Sequence, residues 1–537
     1  MTRARERAAT TRTPRATRAR ALTLGLALAG AAGISGCDSD SLTSANNNPN
    51  NPTDAPPGPL FTSAVSNGVR RWMGGHNFTQ TSPVIQHLAM NQYTDEDRYA
   101  GLRANATTAA FEAAYTNELQ DLRQLVLKGE ASTAPRISGP ARVLQTWEFS
   151  IMTNAFGDIP YSDALKADSA VLAPAYDAQK DIYDGFFATL GAASAAMAGA
   201  PASSAGLGSA DPMYGGDMVK WQRFANSLRA RLALQVVNVD PAKANAELRA
   251  ALAAPGGVFT GNADNAQLAW PGDGVNDNPW AVTLKTRDDR RMSRTLMTAL
   301  AATADPRIAV YAQPVVDSTA FPSGYGGMPN GLLADSAGKW TRTASRPGAV
   351  FFPGVTTYGS YGTPAGLTTP STLMTFAELQ FIRAEAAERG LGGLTPAQAA
   401  GFYASAITAS MEQWGVSGAA TATFLAQPAV AYRGGAAGLR QIGVQKWVAL
   451  YGNGPQAWAE WRRTCQPSTI RPGPAAVVDY VPRRFYYSTG EASVNATHLD
   501  AAIARQGPDN FRTRIYWDKS PTAAPTYVDA ASCGPAT

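Results

Sequence analysis

The chain has 537 residues, enough to bury a large core, and its 50 Gly and 36 Pro residues predict long irregular connections rather than short turns. Its formal charge of +5 is uneven: residues 1–36 hold seven Arg and one acid, Glu6, and the remaining 39 basic and 40 acidic residues nearly cancel. A nucleic-acid role therefore has no compositional support.

In chain order, the Arg-rich start leads into Ala21–Ile34, an apolar run of about 14 residues, too short to span a bilayer. It ends in Ile34-Ser35-Gly36-Cys37, which resembles the bacterial lipobox; the plain alternative is a secretory peptide with an incidental Cys. Residues 1–36 are thus expected to be a lipoprotein signal and Cys37 the lipid attachment site, where two or three acyl chains give durable anchoring. Asp38 after the Cys resembles an inner-membrane retention signal of some bacteria, which leaves the choice of membrane open. Residues 37–59 nearly lack large apolar side chains and read as a flexible tether. Of the three Cys, only Cys465 and Cys533 then remain. An oxidising compartment would permit them to pair, closing about 68 residues for roughly 4 kcal/mol; two unrelated buried thiols is the other reading.

From residue 60 onward the pattern is helical. Leu60–Arg70 reads as a short helix. Asn105–Lys128 carries Phe111, Tyr115, Leu119, Leu122 and Val126 on one face. Pro140 opens the next helix, which the Gly157–Pro160 turn ends. Ala178–Ser194 follows, then a helix capped by Asp217 with Trp221, Phe224, Leu228 and Leu232 inward and Lys220, Arg223, Arg229 and Arg231 as wetter flanks. Pro241–Ala254 is a fifth. Residues 256–370 are rich in Gly, Pro and Asn with scattered aromatics, and only Met292–Ala304 reads as helical there; the aromatics favour ordered binding loops. Ser371–Gly415 is the clearest unit, two helices joined by Gly390, Gly392 and Gly393, the second capped by Thr395 with Pro396 at its first position. So short a connection predicts antiparallel packing. Leu439–Leu450 and Pro455–Arg463 are further helices, and the C-terminal region reads as irregular.

Several segments together resemble the SusD/RagB family of nutrient-binding outer-membrane lipoproteins, in particular its SusD-like 2 branch. They include Phe156–Leu165 (FGDIPYSDAL), Ala175–Asp184, Gly216–Arg231, Met374–Gly390, Gln445–Arg463 and Arg483–Tyr487, in order along nearly the whole mature chain. The resemblance implies a mainly α fold: one domain over 60–537, a scaffold of tetratricopeptide-like helical hairpins with long ligand-facing loops in an insert at about 256–370. It further implies an outer-membrane protein that captures an oligosaccharide, or a peptide, and delivers it to a SusC-like TonB-dependent barrel transporter. It implies no enzyme and no cofactor. Cys465 departs from the small residue, often Gly, that the family places after the Arg pair.

A sugar binder needs exposed planar rings for C–H faces and short polar groups for hydroxyls. Two regions offer both: Asn91, Tyr93, Asp95 and Arg98 in one, and Trp280, Tyr325, Trp340, Tyr358 and Tyr361 in the other. The plain account of each aromatic is a core or loop anchor, and Trp147, Trp221, Trp414 and Trp447 sit on helical stripes as packing residues. Asp273–Asn278 is oxygen-rich, but its spacing fits an Asx turn better than Ca²⁺, and no metal is assigned. Catalysis has little to start from: the three His lack partners at metal-ligand spacing, no GxSxG, HExxH or P-loop occurs, and Glu385 and Glu388 read as a solvated helix face. A structural or adhesive surface lipoprotein is the remaining alternative.

Overall fold

The computed structural model describes residues 55–102, 104–285, 287–351 and 364–518. Cys37, Tyr358, Tyr361 and Cys533 lie outside them. The expected hairpin is present: α10 (Phe376–Glu388) and α11 (Pro396–Gln413) pack along their lengths. Local chemistry fixes both starts. The Thr375 hydroxyl accepts from the Glu378 N–H at 3.0 Å, and Thr395 and Gln398 form a capping box with Pro396 at the first position. Phe381 and Ala384 then meet Tyr403, Ala406, Ile407 and Met411 in a closed apolar cluster.

The other helices pair in the same way. Upstream lie α1 (Pro57–Val69), α2 (Ala104–Thr116), α3 (Glu118–Ala131), α4 (Pro135–Phe156), α5 (Gln179–Ala198), α6 (Met218–Gln235) and α7 (Pro241–Leu252). Neighbours in sequence from α3 to α7 pack on one another, and α6 also meets α10. Asp217 caps α6 as expected, accepting from the N–H groups of Val219 and Lys220. Trp147, Trp221 and Trp447 are buried packing residues, whereas Trp414 is half-buried with its ring edge-on to Tyr311 at 5.5 Å.

Several sequence expectations fail for identifiable reasons. The single helix over 105–128 is two, broken at Asn117 (φ −116°, ψ −99°), and the break turns Glu118 inward to Arg71. The helix expected from Pro140 starts at Pro135, which takes the first helical position, so Pro140 sits inside and removes just one backbone bond. A π-helix, Arg70–Thr81, occupies a stretch that showed only polar and aromatic character. The irregular C-terminal region contains α14 (Ala496–Gln506), a helix whose only large apolar residues are Leu499 and Ile503. The Gly157 turn is real: its φ is +88°, and a Cβ there would meet the Gln506 side chain at 1.7 Å.

Charge placement is the largest correction. Arg231, expected on a wet flank, is 4% exposed; its Nε donates to Glu378 Oε1 at 2.8 Å and its Nη2 to the Leu373 carbonyl at 2.8 Å, tying α6 to α10. Glu385, expected in solvent, is buried and receives both Arg463 Nη groups at 2.7 and 2.6 Å. Burial alone would raise its pKa, but Arg463 and Arg389 hold it well below the usual carboxylate range. Arg463 comes from α13 (Gly454–Thr464), where Glu460 also takes Arg463 at 2.6 Å and Lys446 of α12 (Gly435–Ala449) at 3.1 Å. Cys465 follows α13 in the left-handed region (φ 54°), a conformation for which a glycine is the cheap choice, and is engaged in a disulfide.

The insert is less irregular than its composition predicts. It holds β2 (Ala266–Leu268), α8 (Pro279–Leu284), β3 (Arg290–Met292) and α9 (Arg294–Ala302), and its end pairs with β2 through β4 (Ser371–Met374). A two-residue ladder joins Ile159–Pro160 to Tyr176–Asp177, and β3 pairs with β1 (Leu88–Met90).

Candidate functional site

The antiparallel pair of β1 and β3 aligns Leu88 with Met292 and Met90 with Arg290. Residues 91–99 and 287–289 therefore leave the ladder side by side, although about 190 residues separate them in sequence. A third segment closes on them: Met328 N–H donates to the Met292 carbonyl at 2.9 Å, Arg294 N–H to the Met328 carbonyl at 2.7 Å, and Asn330 Nδ2 to the Leu88 carbonyl at 2.7 Å.

Asn91 pins the three together and is buried at 1% exposure. Its Nδ2 donates to the Asp288 carbonyl at 3.0 Å and to Thr341 Oγ1 at 3.2 Å. Beneath it the Asp288 carboxylate receives Arg291 at 2.8 Å and Arg346 at 2.6 Å. Asn91, expected as a ligand contact, is thus a positioning residue whose amide is fully used. Tyr93 is different: it is 63% exposed with φ +50°, and the Arg287 guanidinium lies 5.3 Å from its ring centre. Arg287 is itself exposed, with Asp289 at 3.5 Å. Asp95 is exposed and bridges to Arg98 at 3.2 Å, while Arg98 Nε is fixed by the Ala475 carbonyl at 3.0 Å.

Trp340 precedes Thr341, the residue that Asn91 holds. It is half-buried, and the Arg294 guanidinium lies 5.0 Å from its ring centre. Tyr325 is half-buried and leans on the core. Trp280 overturns its expectation. It is 2% exposed, its Nε1 donates to the Met73 carbonyl at 2.9 Å, and Phe78 and Phe351 flank its ring at 4.7 and 4.6 Å. Asn278 caps its helix, so the local signal that made Trp280 look like a loop residue is in fact a helix start. Arg287 and Thr341 were missed; the charge run around Arg287 was the one available signal, and Thr341 had none.

Below the exposed ring the electrostatics are those of a buried, water-poor floor. Burial pushes Asp97 up to about 7, against the N–H of Met90 at 3.0 Å, and also raises Glu96. Buried Asp289 and Arg290 pair at 2.9 Å, and Arg290 stacks 4.8 Å over Phe78. Chemically the surface offers a ring face, guanidinium donors and a carboxylate, a set suited to stacking and hydrogen bonding. His76 and His87 are buried neutral, each depressed to about 3 by desolvation, so neither is placed for general-base work. Among the described residues no group of three His, Cys, Asp or Glu is arranged to hold a metal. Asp273 accepts from the N–H groups of Val275 at 2.9 Å and Asn276 at 2.6 Å, an Asx turn.

No helix among the described residues is long and apolar enough to cross a membrane. No curated protein is significantly similar to the chain. Among solved structures, a chitin-binding protein superposes with a TM-score of 0.74 at 25% identity, covering 86% of this chain and 100% of that one. A chitin-binding SusD homolog from Flavobacterium johnsoniae gives 0.72 at 25% identity, with 87% and 98% covered. A SusD homolog from Bacteroides fragilis NCTC 9343 gives 0.73 at 24% identity, with 87% and 100% covered. Residues 49–488 match the SusD-like family 2, described as starch-binding and associating with the outer membrane, and the chain belongs to that family.

Proposed function

We propose that the chain is a non-enzymatic capture protein that binds an oligosaccharide on the surface around Tyr93 and passes it to a SusC-like TonB-dependent barrel transporter in the outer membrane. The observation that carries this reading is Tyr93 itself: a large ring held mostly in solvent, on a left-handed backbone, with Arg287 beside it. Trp340, Asp95 and Arg98 extend the same surface, and Tyr358 and Tyr361 remain candidates. The chitin-binding relatives make N-acetylglucosamine oligomers the first ligands to try.

In the same reading Cys37 carries the lipid anchor, residues 37–59 tether residues 60–537 to the membrane, and Cys533 closes the disulfide of Cys465. Palmitate labelling lost in Cys37→Ser and a disulfide-linked peptide containing Cys465 and Cys533 would support these. Calorimetry with chito-oligosaccharides, starch fragments and peptides tests the main claim. Saturable binding of one saccharide class, weakened tenfold or more by Tyr93→Ala, supports it. Binding unchanged in that variant removes Tyr93 from the site, and binding of peptides alone changes the cargo.

A further inference from the structure

A cavity of about 370 Å³ opens beside α1, the π-helix and α2, on elements separate from the Tyr93 surface. The winding of the π-helix makes it. Its i→i+5 ladder brings residues four and five apart onto one face, so Arg71, His76 and Gln80 line the cavity with Arg70 at its edge. The methyl groups of Ala109 and Ala110 form an apolar wall.

Two arginines line this cavity and no carboxylate does. Arg71 is committed to Glu118, donating through Nε and, at 3.0 Å, through Nη2. Behind them Glu148 accepts from Trp72 Nε1 at 2.8 Å, and burial together with the Glu118 charge raises its pKa. His76 is neutral, and its ring nitrogens have no well-aligned hydrogen-bond partner, Gln80 being its polar neighbour. Arg70 remains. It is half-buried, and its guanidinium lies 5.1 Å from the Trp270 ring centre and is paired with no carboxylate among the described residues. Stacking on an indole orients a guanidinium while leaving its N–H edge free.

We infer that this cavity is a second binding site, one that takes a carboxylate-bearing ligand on Arg70. The carboxylate belongs to an acidic saccharide or to an acidic peptide; the chemistry at Arg70 is the same. Gly75 at the mouth offers a control, since a Cβ built there meets nothing within 4 Å and a larger side chain would fill the opening without disturbing the backbone.

The test is calorimetry of the full chain against tri-galacturonate, tri-glutamate and neutral cellotriose. The expected result is saturable binding of one anionic probe, weakening as salt is raised, reduced tenfold or more in Arg70→Gln and Gly75→Leu, partly retained in Arg70→Lys, and unchanged within twofold in Tyr93→Ala. Which anionic probe binds identifies the source of the carboxylate. The inference is overturned if neither anionic probe binds the folded chain, or if Arg70→Gln, shown folded by circular dichroism, binds as tightly as the parent. The Tyr93→Ala arm keeps failure here separate from failure of the Tyr93 site.

Discussion

Glu385 and Asp288 are both carboxylates gripped by two arginines, yet they serve opposite parts of the molecule. Glu385 joins α10 to α13 through Arg463 and has Arg389 one turn along its own helix. Every group in that knot rides on a helix whose path periodic packing already fixes. Asp288 instead joins Arg291 and Arg346 in the insert, where little periodic packing exists, and the knot itself fixes the path on which Asn91 and Tyr93 sit. Scaffold and loop face are therefore rigid for different reasons. One is apolar interlock with charge at its seams, and the other is charge and amide bonding with rings on top.

The largest effects should come from attacking buried partners on either side. Arg463→Met leaves the buried Glu385 to Arg389 and Glu460 to Lys446, each short of one counter-charge, and should cost about 3–5 kcal/mol in urea unfolding; a loss under about 1 kcal/mol would mean that the helices need no such knot. Trp280→Ala should cost a similar amount, about 3–5 kcal/mol, by emptying the space between Phe78 and Phe351. It should leave saccharide affinity near that of the parent in whatever fraction stays folded. Stability unchanged with affinity abolished would return Trp280 to the binding surface.

A smaller effect separates the two regions by pH. His87 is buried with Nε2 3.0 Å from the Trp447 carbonyl and its pKa depressed to about 3, while an unfolded His titrates near 6.5. Between those values the unfolded chain binds the extra proton, so His87 contributes stability that is present at pH 7 and lost as pH falls below about 6.5. From pH 6 to 5 the parent should lose about 1 kcal/mol more than His87→Gln. Asp97, raised to about 7 by burial, has the opposite sign. It favours the folded state as pH falls from 7 toward 4, so Asp97→Asn should steepen the acid loss in the loop face. Equal pH slopes in parent and variants would contradict both assignments.

The smallest effect on stability should be the most telling for function. Tyr93→Ala removes an exposed ring from a strained position and should change unfolding free energy by less than about 0.5 kcal/mol, while lowering saccharide affinity tenfold or more. A large stability loss there would make Tyr93 an anchor like Trp280 and erase the contrast between the regions.

The sequence by itself determined the scaffold. The α10–α11 hairpin, the Asp217 and Thr395 starts and the Gly157 turn depend on spacing, caps and glycine freedom within a few residues of each other, and such signals survive without tertiary context. Family membership was legible for the same reason, through short segments in fixed order. Tertiary structure alone decided which side chains face a ligand. Asn91 and Trp280 are spent on the interior because their partners, Thr341 and Met73, lie 250 and 207 residues away. Arg231 and Glu385 are buried because their counter-charges come from other helices. Exposure in a loop, unlike periodicity in a helix, is set by whatever distant segment closes over it, and no local pattern encodes that.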